Sequence, residues 1–140
     1  MSYGVGAALQ AAVYQALIAD AQLSALVGAA IFDAVPAGSL PALYVTLGPE
    51  DVRDRSDKTG AGAEHSLTVS VVTEAAGFLI AKQVATAISD VLVDAALTLS
   101  RGRLVALKFY RARARREGTG GIRRIDLTFR ARVDDTPVTP

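Results

Sequence analysis

Cysteine is absent from this chain, and histidine occurs once, at His65. No cysteine means no disulfide scaffold, no thiolate metal ligand and no thiol nucleophile. A lone histidine leaves a transition-metal site few ligands to draw on, so no metal and no cofactor is expected. At the start of an alternating apolar run, His65 reads as structural or simply exposed. Long uncharged apolar runs are missing too. The most apolar stretch, 75–97, is interrupted by Lys82, Asp90 and Asp94, whereas a membrane span needs about 20 nearly uncharged residues. Met1-Ser2-Tyr3-Gly4 lacks the basic n-region of a secretory signal. Neither a membrane contact nor a signal is expected.

Catalytic motifs are equally scarce. Ser66, Ser70 and Ser100 stand outside any Gly-x-Ser-x-Gly elbow. Asp51, Asp54 and Asp57 recur in threes, without the spacing and closing glutamate of a calcium loop. Gly60 and Gly62 have neither the Walker pattern nor a strand–glycine–helix context for phosphate. No enzyme constellation survives, and the chain is expected not to be an enzyme.

What is present is apolar mass and segregated charge. The 140 residues are 51% hydrophobic, with a mean hydropathy of +0.31. That suits one domain, 1–140, able to bury roughly two thirds of its unfolded surface. It also suits surface kept for burial against other chains. Residues 101–140 hold 11 Lys/Arg and 4 Asp/Glu, a net +7. Residues 1–100 hold 4 Lys/Arg and 10 Asp/Glu, a net −6. A basic end on an acidic body attracts copies of itself.

Periodicity predicts a helix over 5–19, with Val5, Leu9, Val13 and Leu17 four apart. Asp20 caps a second short helix, and Gly28 ends it. A short strand is expected at 31–34, and a strand at 43–47 that stops at Gly48-Pro49. The charged stretch 50–63 reads as a mobile loop. A strand follows at 65–73, and a helix at 78–93. The last strand alternates Ile125, Leu127, Phe129, Ala131 and Val133 with polar residues. Closing the turn at 117–121 puts Phe109 opposite Phe129 and Val105 opposite Val133. Arg111, Arg113 and Arg115 then continue a core face. With Arg116, Arg123 and Arg124 they are expected to project from the body as a basic arm. The fold class expected is α+β: a mostly antiparallel four-stranded sheet, helices packed on one face, and a long C-terminal β-hairpin.

The arm has three readings: solvated surface, protein interface or nucleic-acid contact. The Gly-aromatic signature of four-stranded RNA binders is absent from Leu104 to Tyr110. Arg111, Arg113, Arg115, Arg116, Arg123 and Arg124 need carboxylate, phosphate or water. Asp51, Asp54 and Asp57 are carboxylates that a second copy offers, so these nine residues are the candidate subunit interface.

One further pattern concerns the first two thirds of the chain. It runs Leu9-Gln10-Ala11-Ala12-Val13-Tyr14-Gln15-Ala16-Leu17, Asp20, Leu23, Leu26-Val27-Gly28 and Ile31-Phe32-Asp33-Ala34-Val35-Pro36. Leu40-Pro41, Tyr44-Val45-Thr46-Leu47-Gly48, His65-Ser66-Leu67-Thr68-Val69 and Gly77 continue it. This resembles the tail terminator, or tail completion, proteins of long-tailed phages and gene transfer agents. Two positions depart from it: Leu43 where the family often has proline, and Val72 where it often has tryptophan. The resemblance implies a structural virion protein, assembled in the host cytoplasm, with no catalytic residues to transfer. It implies a ring, a hexamer in the family, that caps the head-proximal end of the tail tube and joins it to the head. The implied partners are copies of itself, the tail tube protein and a head–tail connector, with DNA passing through without specific binding. The alternatives are a nucleic-acid-binding module built on the hairpin, and a small enzyme using His65.

Overall fold

A computed structural model describes residues 3–57, 60–118 and 120–135. The chain forms α1 (Gly6–Ala19), α2 (Ala21–Val27), β1 (Ile31–Phe32), β2 (Leu43–Asp54), β3 (Gly62–Thr73), α3 (Leu79–Leu92), β4 (Arg103–Glu117) and β5 (Ile122–Asp134). The sheet order is β1-β2-β3-β5-β4. The four antiparallel strands expected are all there, and β1 adds a short parallel fifth beside β2. The Asp20 carboxylate accepts the Leu23 N–H at 2.9 Å and starts α2. Gly28, at φ 59°, ends it.

The helices cover one face only. Leu9, Val13 and Leu17 of α1 join Val84, Ile88 and Leu92 of α3 in one buried cluster with Val69, Val71, Leu127 and Phe129 of the sheet. Successive side chains of a strand point to opposite faces, so the alternation in β5 directs its apolar set to the helices. Among the described residues, the other face carries no helix.

Three expectations fail, and each fails at a β-bulge. β2 does not stop at Gly48-Pro49. Leu47 pairs with Val69 and Glu50 with Leu67, so β2 spends one extra residue there. A bulge is where a strand tolerates a proline, which has no N–H for the ladder. Glu50–Asp54 then pair with Leu67–Ala63, so the expected loop over 50–63 is mostly strand. Charged side chains suit that position, because it lies beyond β1 on an open edge. Between the strands, the Arg55 N–H donates to Gly62 O at 2.8 Å and the Asp57 N–H to Gly60 O at 3.0 Å. Residues 58 and 59 lie outside the described set.

The second bulge is at Val105. Leu104, not Val105, faces Val133, and Val105 is left half exposed. The third is at Tyr110. Phe109 does face Phe129, with ring centroids 6.0 Å apart in an edge-on arrangement. Phe129 is fully buried, but Phe109 is 47% exposed and sits at the rim of the core rather than inside it. Arg111 then pairs with Thr128, so two steps on β4 match one on β5. That extra residue flips every side chain beyond it. Ala112 and Ala114 take the helix side, facing Leu127 and Ile125, and Arg111, Arg113 and Arg115 take the bare side.

Candidate functional site

The flip at Tyr110 removes the reason for a projecting arm. Arg111, Arg113 and Arg115 lie alongside β5, across from Thr128, Asp126 and Arg124. With β3 and β2 they line a shallow trough of about 800 Å³ on the bare face. Its walls include Arg53, Arg111, Arg113, Arg115, Arg124 and Arg130 against Asp51, Glu64 and Asp126. Six arginines facing three carboxylates leave the surface clearly positive.

Two polar networks hold this face. In the first, Asp126 accepts from Ser70 Oγ at 2.6 Å and from Arg124 Nε at 2.9 Å. Arg124 also donates to Ser70 Oγ at 3.2 Å, and Arg115 lies 3.5 Å from the second Asp126 oxygen. Burial alone raises the Asp126 pKa. The Ser70 hydrogen bond, the Arg124 hydrogen bond and the charges of Arg124 and Arg115 outweigh it and hold the carboxyl below its ordinary value. In the second network, the Arg130 guanidinium stacks 3.5 Å from the Tyr110 ring centroid, with Glu64 3.8 Å away. The bulge residue is therefore pinned by a cation–π contact on the trough side. Arg111 and Arg113 at the open edge make no ion pair among the described residues.

The nine candidate interface residues divide. Arg111, Arg113, Arg115, Arg124 and Asp51 share the trough. Arg116 and Arg123 face the helix side, where Arg123 donates to Ala75 O at 2.9 Å and lies over the Phe78 ring. Asp54 and Asp57 sit at the far end of β2 and in its turn. The Asp54 carboxylate accepts from the Ser56 hydroxyl at 2.7 Å and from its N–H at 2.9 Å, which lowers its pKa. Sequence reasoning missed Ser70, Asp126, Arg130 and Tyr110. A signal existed for Asp126, the one carboxylate at the alternate positions 124, 126, 128, 130 and 132.

His65 lies on the opposite face and is 1% exposed. Its Nδ1 is 3.3 Å from Glu50, and Tyr3 stacks over its ring. The Tyr3 hydroxyl also bonds Glu50. This cluster buries His65 and ties the N-terminal segment to the bulged part of β2. Among the described residues, no group of three metal-ligating side chains occurs, and no helix is long and apolar enough to cross a membrane.

The trough is open and shallow rather than an enclosed pocket. The family model described as "Tail completion protein gp17" matches residues 11–134. The chain belongs to this family. It is a structural tail protein, a component of virions or phage-like particles. Among solved structures, 18 chains match. One belongs to the virion of a native gene transfer agent particle, is 65% identical and has a TM-score of 0.91. The match covers 95% of this chain and 99% of that one. Among curated proteins, none matches.

Proposed function

We propose that the protein caps the head-proximal end of a phage-like tail tube as a homo-oligomeric ring, ends tube polymerisation and forms the surface that joins the head. The observation that carries this is the likeness to a gene transfer agent chain at 65% identity over nearly the whole length. The physical features support it. A ring needs a heterologous contact, in which one patch of a subunit meets a different patch of the next. The basic edge of β4 and the acidic body are two such patches. The ring is read as a hexamer, with the tail tube protein below it, the head–tail connector above it and DNA passing through. Arg111 and Arg113 meet carboxylates of the neighbouring subunit and set its register.

Native mass and particle images of the purified protein test the ring. Particles made without the protein test the cap: overlong tails without heads are expected, and normal tails overturn it. The nucleic-acid reading keeps one specific observation, the positive trough. It requires DNA affinity that falls steeply with salt.

A further inference from the structure

Among the described residues, two separate apolar surfaces lack a partner. The first is the outer side of α1. Its 14 residues include no charged side chain. Leu9, Val13 and Leu17 are buried, yet Ala7, Ala11, Gln15 and Ile18 on the outer side are exposed. An uncharged outer face of small and apolar side chains, with Gln15 as its polar member, is surface that a partner can cover. Beside it runs a groove between α1 and the 96–100 segment, lined by Ala11, Ala12, Ala16 and Leu97. Small side chains there allow a close approach.

The second surface is the helix side of β4 beyond Leu107. Phe109, Ala112 and Ala114 share the face of the helix layer, yet all three are exposed. α1 runs from the 101–102 turn before β4, where Val5 packs against Gly102, to β1, where the Tyr14 hydroxyl donates to Ile31 O at 3.3 Å. The strip lies further along β4, beyond Leu107 and away from that turn.

Their charged surroundings are complementary. Near α1 stand Asp20 and Asp33, the latter bonded to Gln10; α1 itself has no basic residue, and Arg101 beside its start is paired with Asp135. On the face of the β4 strip stand Arg116 and Arg123, while Arg111 and Arg113 lie on the other face of the same edge strand.

We infer that the Phe109–Ala112–Ala114 strip of one copy seats on the exposed alanine side of α1 in a second copy, as the repeating head-to-tail contact. This rests on the ring proposed above and specifies which surfaces build it. Apolar burial supplies the affinity, and the arginines beside the strip, facing the acidic flank of α1, select its direction.

The cysteine-free chain allows a direct test. Ala11→Cys and Ala112→Cys variants are prepared separately, mixed under assembly conditions and treated with a short bismaleimide. Covalent dimers are expected from the mixture and from neither variant alone. A double variant is expected to give a ladder that ends at the ring number. As a second measurement, Ala11→Arg should abolish rings while leaving the thermal unfolding of the monomer unchanged. Rings that form without mixed cross-links, or that persist in Ala11→Arg, overturn this contact and leave the ring reading standing. If the unsubstituted protein forms no ring under any assembly condition, both readings fall.

Discussion

The two faces of β5 are written in one alternating stretch of sequence and do different work. On the helix side, Ile125, Leu127, Phe129, Ala131 and Val133 are all buried. On the bare side, Arg124, Asp126, Thr128 and Arg130 line an open trough. Between neighbouring residues the environment changes from a packed interior to a charged surface. The apolar set decides whether the domain folds. The charged set leaves the folded domain an open, positive surface. β4 shows the same division with a shift, because the bulge at Tyr110 exchanges its faces half-way along.

The largest effect is expected on the packed face. Phe129 is fully buried, between Leu67 on β3 and Phe109 on β4. Phe129→Ala removes a large side chain from a site that cannot collapse around it, and should cost about 3–5 kcal/mol. Denaturant unfolding measures this. A cost below about 1 kcal/mol would mean that the two faces are not so different.

Much of the packed face was legible in the sequence, because period-two alternation is a local signal. The helices, the Asp20 cap, the Phe109–Phe129 pair and the inward set of β5 all follow from spacing. The bulges were not legible. A bulge is set by the pairing of two strands, and an extra residue looks like any other in one of them. Glu50–Asp54 misled for a related reason: an open edge strand and a loop both favour charge. For the trough, the arginines were legible but their side was not. Three arginines after Phe109 continue the core face by simple alternation, and only the Tyr110 bulge moves them.

A middle-sized effect is expected where the two faces meet in energy, at Asp126. Asp126→Asn keeps the shape but weakens the acceptor of Ser70, Arg124 and Arg115. With Ser70 fully buried and Arg124 largely so, the loss should be about 1–3 kcal/mol. The pH dependence has a definite sign. The folded pKa of Asp126 is lowered, so its contribution is fully present above the ordinary carboxylate value of about 3.9. It is lost as pH falls through the lower folded value. The stability gap between the wild type and Asp126→Asn should therefore be constant near neutrality and shrink below about pH 4. Urea unfolding at pH 7, 5 and 3 distinguishes the cases. A gap that widens toward acid would mean that Asp126 is not held ionised by its arginines.

The smallest effect on folding, and the sharpest separation of the faces, is expected at Arg111 and Arg113. Both are exposed at the open edge of β4 and make no ion pair among the described residues. Reversing them to glutamate touches no packed atom. Monomer stability should stay within about 0.5 kcal/mol of wild type. Assembly should respond differently. Exposed ion pairs contribute only about 0–1 kcal/mol each, so the arginines cannot supply most of the affinity of a ring. They act on register and encounter, which salt screens beyond about 10 Å at 0.1 M. The Arg111→Glu/Arg113→Glu protein should therefore form rings poorly at low salt and recover part of that loss as salt rises, while the wild type weakens over the same range. Sedimentation across a salt series reads both curves. Parallel curves would show that these two arginines meet no carboxylates in the assembly, and that the bare face of β4 does nothing beyond keeping its edge soluble.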